Sequence, residues 1–301
     1  MAPRKHLVPA ALGAALGAAL LAASPGVAAQ EQPWRLVWAE EFDGDRLDES
    51  RWTHAADCGG GGNNERQCYV VSQDTVSVRD GLLRLTAIKR KTRGLANPWA
   101  GPTGPMKTGD YASGKIVSQG KASWLYGRIE ARARVPGGQG VWPAIWMMPE
   151  ANTYGGWPRS GEIDILETIN LGAPCDTCEG GRENRTFGTI HFGKGPGADH
   201  RQLGGQTVSA PTADGFHVYA VEWSAGKIDW FVDGVRYFTA TAEDWKPVDG
   251  EAAPAPFDQP FHLILNLAFG GAWPEGANAK GVDEAALPAT MEVDWVRVSQ
   301  R

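Results

Sequence analysis

Gly127-Arg128-Ile129-Glu130-Ala131-Arg132-Ala133-Arg134-Val135 puts a charge at every second position and an apolar residue between each pair. Successive side chains of an extended chain point to opposite faces, so this stretch predicts a half-buried antiparallel strand with a charged outer face. Outward from it, strand-like runs recur at 34–38, 116–119, 141–148, 162–168, 186–192, 216–223, 261–269 and 290–298. Asp80-Gly81, between 75–78 and 82–88, and Asp233-Gly234, between 228–232 and 235–239, are strong hairpin signals. No long amphipathic helix interrupts them, and 39 Gly and 20 Pro break the chain too often for one. Many short strands with Gly/Pro turns predict an all-β fold, two packed antiparallel sheets in a sandwich or jelly roll, over a parallel α/β fold. There is no internal repeat. The Gly/Pro-rich stretch 93–109, with Trp99, and the Ala/Pro-rich stretch 247–260 read as loops over one domain.

Composition narrows the function. The chain has 301 residues, 42% of them hydrophobic and 21% charged, enough to bury a full core. A net charge of −6 leaves no basic field for nucleic acid or anionic lipid. Arg4, Lys5 and His6 precede an Ala/Leu/Gly run over 7–23, and Val27-Ala28-Ala29 offers small residues for cleavage. This predicts a secretion signal over 1–29, one large all-β domain over 30–301, and a secreted protein, extracellular or periplasmic, free of the membrane after processing. The apolar run approaches spanning length, but its Ala and Gly are weakly hydrophobic and Pro25-Gly26 follows. Residues 1–29 hold two cations and no acid, so the mature charge would be −8. Four Cys in an exported chain read as disulfides: 58–68 and 175–178 are the simplest of three pairings, and a Cys₄ zinc site is disfavoured by the long first spacing.

The chemistry concentrates in Trp157-Pro158-Arg159-Ser160-Gly161-Glu162-Ile163-Asp164-Ile165-Leu166-Glu167-Thr168. Glu162 and Asp164 share a strand face, whereas Glu167 would point the other way. Ile165 and Leu166 are adjacent apolar residues, and a β-bulge there would return Glu167 to the carboxylate face. Three like charges on one short face repel unless one keeps its proton, the state a general acid needs. Acids on an outer strand face are commonly no more than solvated, but Trp142, Trp146 and Trp157 lie close in sequence, and flat rings suit the apolar faces of sugars.

Residues 157–167 resemble the active-site signature of glycoside hydrolase family 16, in the bulged form of its laminarinase, agarase and carrageenase branch. Glu40-Glu41-Phe42, Gly62-Asn63-Asn64-Glu65, Val141-Trp142-Pro143-Ala144-Ile145-Trp146-Met147, Leu263-Ile264-Leu265-Asn266-Leu267 with Gly270-Gly271-Ala272-Trp273-Pro274, and Met291-Glu292-Val293-Asp294-Trp295 fit the laminarinase-like pattern. The match spans nearly the whole mature chain. It implies a jelly roll with a concave cleft, Glu162 as nucleophile, Glu167 as general acid/base, and Asp164 tuning the pair. It also implies sugar contacts from Asn64, Trp142, Trp146, His191 and Trp273, to which Trp157 and Arg159 of the quoted run are added as candidates. His191 alternates with Ile190 and Phe192, so it should share the cleft face; a structural, hydrogen-bonded His is the plainer reading. No cofactor is implied for catalysis. A structural calcium on the convex side would map to Glu41, Gly81 and Asp294, whose oxygens suit a hard cation. Cys68, where many relatives carry an aromatic residue, and the Gly/Cys loop 175–185 depart from the pattern at the cleft ends.

The leading expectation is a monomeric, exported endo-β-1,3-glucanase cleaving a β-glucan partner with retention. Mixed-linkage glucan, agarose or carrageenan would keep the mechanism and change the sugar, and the acidic mature chain mildly opposes a sulfated polymer. A transglycosylase and a non-catalytic β-glucan-binding protein are further alternatives, the last opposed by the presence of all three carboxyls.

Overall fold

Alternation of buried and exposed residues builds nearly every element. The computed structural model describes residues 32–98, 101, 103–208, 215–246 and 251–301; the expected signal segment 1–29 and Trp99 lie outside them. In chain order the strands are β1 (Arg35–Glu40), β2 (Thr53–His54), β3 (Gln67–Tyr69), β4 (Val76–Arg79), β5 (Leu82–Leu95) and β6 (Met106–Ser113). Then come β7 (Lys115–Val117), β8 (Ser123–Trp124), β9 (Gly127–Arg134), β10 (Val141–Pro149), β11 (Glu162–Glu167) and β12 (Thr186–Gly193). The remainder are β13 (His200–Thr207), β14 (His217–Ser224), β15 (Lys227–Val232), β16 (Val235–Thr241), β17 (Phe261–Phe269) and β18 (Ala289–Gln300). Two short helices, α1 (Ala242–Trp245) and α2 (Ala272–Gly276), accompany them.

The strands form two sheets. One runs β16-β15-β14-β9-β18-β5-β6-β3, with β1 on β18 and β4 on β5; the other runs β13-β12-β11-β10-β17-β7-β2, with β8 on β17. Pairing is antiparallel except for β3 against β6, a short parallel contact that departs from the expected all-antiparallel pattern. β9 buries Ile129, Ala131 and Ala133, while outside it Arg128 meets Glu222 (2.6 Å) and Glu130 (2.7 Å) and Arg134 meets Glu292. Both Asp-Gly pairs close hairpins, with all four residues at positive φ (Asp80 55°, Gly81 72°, Asp233 49°, Gly234 77°), the geometry of a type I′ turn.

Stretch 93–109 is not a loop throughout. β5 runs to Leu95 and β6 begins at Met106, paired Leu95↔Met106, so these strands extend as an arm. Its Lys/Arg/Thr sequence shows no alternating apolar face, and besides the ladder it is held by the Cys58–Cys68 loop, with Cys58 N donating to Leu95 O (2.7 Å) and Cys68 Sγ beside Thr92 O. β13 escaped the sequence pattern for the same lack of alternation. Of the stretch 247–260, residues 251–260 contain no strand or helix. The core lies between the sheets and includes Trp52, Trp223, Trp230 and Trp245, each fully buried. Trp142, Trp146, Trp157 and Trp273 are instead placed around β10 and β11 on the sheet's outer side.

Candidate active site

β11 carries the bulge expected from Ile165-Leu166. Against β10, Trp146 pairs with Asp164 and Ile145 with Leu166, so Ile165 is the extra residue. Against β12, Asp164 pairs with Thr189 and Glu167 with Phe187, three steps against two. Ile163, Ile165 and Leu166 are all buried, and Glu167 returns to the face of Glu162 and Asp164. A bulge breaks the ladder and frees a backbone group. Here the Asp164 carbonyl accepts from the indole N–H of Trp230 (2.8 Å), which reaches across the core from β15. Gly188 on β12 makes room: a Cβ there would stand 2.2 Å from the Trp230 ring.

Each carboxyl has its own support. The Trp157 indole donates to Glu162 Oε2 (2.6 Å) and that of Trp142 to Glu167 Oε1 (3.0 Å). His191 Nε2 lies 3.2 Å from Asp164 Oδ2 and 3.9 Å from Glu162 Oε1. Burial raises all three carboxyl pKa values. For Glu162, burial and then the charge of Asp164 push it to about 8. Glu167 stands well above the usual carboxylate range, first through burial and then through Asp164. Such groups titrate as a set, and the face holds protons at neutral pH that ordinary acids would have released. Arranged this way, the face can both attack and protonate a bound substrate.

The flanks are aromatic. Trp273 stands edge-on to Trp142 (5.3 Å) and to Phe187 (5.1 Å), 36% exposed. Asn170 fixes that end, accepting from Gly140 N (2.7 Å) and donating to Pro274 O (2.8 Å), which ties α2 to the start of β10. Asn64 is exposed with φ 59°, in a loop whose neighbour Asn63 accepts from Ala272 N, so it borders the same end. On the other flank stand Trp157, 39% exposed, His191 and His200, with Trp157 4.8 Å from His200. Trp146 donates to Asn266 Oδ1 (2.7 Å), and Lys115 Nζ lies 5.7 Å from the Trp146 ring. Arg159 donates to Glu251 (2.9 Å). A cavity of about 790 Å³ lined by Asp45, Asp48, Glu49, His54 and Val71 shares no residue with this face.

Cys58 and Cys68 are bonded, as are Cys175 and Cys178. The calcium expectation meets a different arrangement. Both Glu41 oxygens are taken by Arg297 (2.9 Å each), and Asp294 pairs with Arg132 (2.5 Å), so these carboxylates are already neutralised by arginine and do not fit an ion shared with Gly81. Donor atoms of Glu162, Asp164 and His191 lie within 4.8 Å of one another, a grouping that could hold a cation. Sequence reasoning missed Trp230, Asn266, Phe187, Lys115 and His200 as parts of the site. Phe187 sits opposite Glu167 on β12 and Asn266 opposite Ala144 on β17, pairings that only the register of the sheet shows; Trp230 reads only as core.

Comparison with known proteins agrees with this geometry. A family model described as glycosyl hydrolases family 16 matches residues 63–297. The chain is 39% identical over 270 residues to a beta-glucanase of Rhodothermus marinus, covering 88% of this chain and 85% of that protein. It is 36% identical over 244 residues to a glucan endo-1,3-beta-glucosidase of Cryptopygus antarcticus, covering 79% and 81%. The X-ray structure of the laminarinase from Rhodothermus marinus matches with a TM-score of 0.73 and 38% identity, over 89% of this chain and 98% of that one.

Proposed function

The chain belongs to glycosyl hydrolases family 16, and from that premise we propose that it is an endo-acting glycosidase that cleaves β-1,3-glucan with retention of configuration. The observation that carries the mechanism is the bulged strand that turns Glu162, Asp164 and Glu167 to one face. Glu162 is the nucleophile: its oxygen attacks the anomeric carbon, while Glu167 gives its proton to the departing glycosidic oxygen. Glu167, now ionised, takes a proton from water, whose oxygen displaces Glu162 from the same face as the original bond and restores the β-configuration. Asp164 holds the proton balance between them. Nucleophile and proton donor are both carboxyls, so this chemistry needs no cofactor.

Trp146, Trp157 and Trp273 supply stacking surfaces for sugar rings, Trp142 lies buried beneath Trp273 and holds Glu167, and Asn64 stands at the Trp273 end and His191 beside Glu162. Calcium at Glu41, Gly81 and Asp294 is not part of the proposal. Among the described residues no helix is long and apolar enough to cross a membrane. Export is supported by the basic and apolar opening of the chain and by two disulfides, and the enzyme is proposed to act as a monomer. Reducing-end release from laminarin, lichenan, agarose and carrageenan tests the reading. Fastest release is expected on laminarin; release from agarose or carrageenan alone would overturn the substrate assignment, and none from any polymer would overturn the enzyme.

A further inference from the structure

His200 touches both groups that hold the Glu162–Asp164 pair. Its Nε2 is 2.8 Å from Nδ1 of His191, with the rings 5.0 Å apart and tilted by 21°. On its other side, the ring lies 4.8 Å from that of Trp157, whose indole donates to Glu162. A neutral imidazole has one N–H, so what it offers one neighbour decides what it offers the other. Asp164 Oδ2 is buried and has no well-aligned hydrogen bond among the described residues. The His191 Nε2 atom, 3.2 Å away, can serve it only as an N–H, which in the neutral ring makes Nδ1 an acceptor in need of a donor. The reverse arrangement would serve that oxygen only if Asp164 itself kept a proton on Oδ2 and donated it to His191; with Asp164 ionised it would aim a lone pair at the carboxylate and leave the buried oxygen without a donor.

We propose that His200 is a positioning residue: as the Nε2–H tautomer it donates to His191 Nδ1, fixes His191 as an Nε2–H donor toward Asp164 and Glu162, and braces the Trp157 ring. Burial holds the His200 imidazole below its ordinary pKa, which favours the neutral ring this role requires. The groups around it that can bear charge are His191, Glu162 and Asp164 across the face and, on either side in the chain, Asp199 and Arg201. Arg201 lies over the Phe192 ring (4.8 Å), and His191 turns Nε2, not Nδ1, to Glu162 and Asp164, so His200 Nε2, 2.8 Å away, is the donor in place for Nδ1.

This inference rests on Glu162 being the nucleophile, and the test separates the two. His200→Phe keeps a ring against Trp157 and removes the donor, whereas His200→Gln keeps an N–H donor and removes the ring. On laminarin, the Phe variant should lose about 10- to 100-fold in kcat with KM within about twofold, the scale of losing a group that orients another. The Gln variant should stay within about threefold of the parent. A Phe variant with parental kcat, or equal losses in both, would overturn the role. Glu162→Gln is run beside them: activity in that variant sinks the nucleophile reading, whereas its inactivity with an unaffected Phe variant sinks only the His200 inference. Nitrogen NMR of the histidine-labelled parent enzyme needs no variant to fold. His191 Nδ1 should show an unprotonated signal and Nε2 a protonated one, and the opposite assignment would refute the proposal.

Discussion

Taking Glu162 out of water makes its charged form expensive, and Asp164 next to it adds repulsion. At this scale the proposed chemistry predicts that Glu162→Gln and Glu167→Gln each lose at least about 10²- to 10⁴-fold in kcat while remaining folded, because an amide neither attacks nor donates the proton. Steady-state kinetics beside circular dichroism check it, and a folded, fully active variant would refute the assignment. Asp164→Asn should be milder and should move the whole pH–activity bell to lower pH, since the Asp164 charge raises both neighbours. The same burial has a price in stability. Between the ordinary carboxylate range and the raised values the folded chain binds more protons than the unfolded one, so stability falls as pH rises through that window. Glu162→Gln removes the penalty. Its melting temperature should match the parent near pH 4 and exceed it at pH 8 by roughly 2–4 °C, the equivalent of about 1 kcal/mol. An equal offset at both pH values would show that the gain is not protonic.

At the scale of the element, the bulge is the device that makes three carboxyls one site, and its anchor comes from the opposite sheet. Trp230→Phe keeps most of the buried ring and deletes the donor to Asp164 O, leaving a buried carbonyl unpaired. A loss of about 1–3 kcal/mol in stability is expected, with a larger fractional fall in kcat than in substrate binding. Gly188→Ala attacks the same contact by crowding the indole and should cost about 1–3 kcal/mol. Denaturant unfolding and kcat measured together check both; parental values in both would mean the bulge holds itself. The bulge was legible because Ile165-Leu166 breaks a two-residue period in a strand otherwise regular. Its anchor was not, because a Trp in a regular strand looks the same whether its N–H meets solvent, core or a freed carbonyl. Nor was His200, whose strand His200–Thr207 has polar and Gly residues without alternation and exists as β13 because β12 offers it an edge. The arm of β5 and β6 was hidden likewise: sequence periodicity reports an apolar face, and the end of β5 packs on the Cys58–Cys68 loop through its backbone and Gly94 instead.

Across the whole molecule, residues far apart in sequence meet at the two ends of the outer face, and covalent links hold the loops nearby. The bridge between Cys58 and Cys68 closes a separation of 10 residues beside the Thr92 carbonyl. By loop-closure reasoning, Cys58→Ser with Cys68→Ser should lower stability by about 3 kcal/mol or less and leave the carboxyl site intact. Four free thiols in the unreduced protein, read by mass, would contradict the bonded state. The larger consequence concerns the product. Exposed rings stand on both sides of the carboxyls, Trp273, packed on the buried Trp142, toward Glu167 and Trp157 toward Glu162. A polymer stacked on both sets must run across the catalytic face, with sugars on either side of the broken bond, so cleavage falls inside the chain. Displacement by Glu162 and then by water from the vacated face inverts the anomeric carbon twice. The first products from laminarin should therefore be oligosaccharides of several lengths whose new reducing ends are β and drift to the α/β mixture only as they mutarotate. Proton NMR in the first minutes reads the anomer, and chromatography reads the lengths. An initial α-anomer would refute the covalent route, and glucose alone at the earliest times would place the substrate end, not its middle, over Glu162 and Glu167.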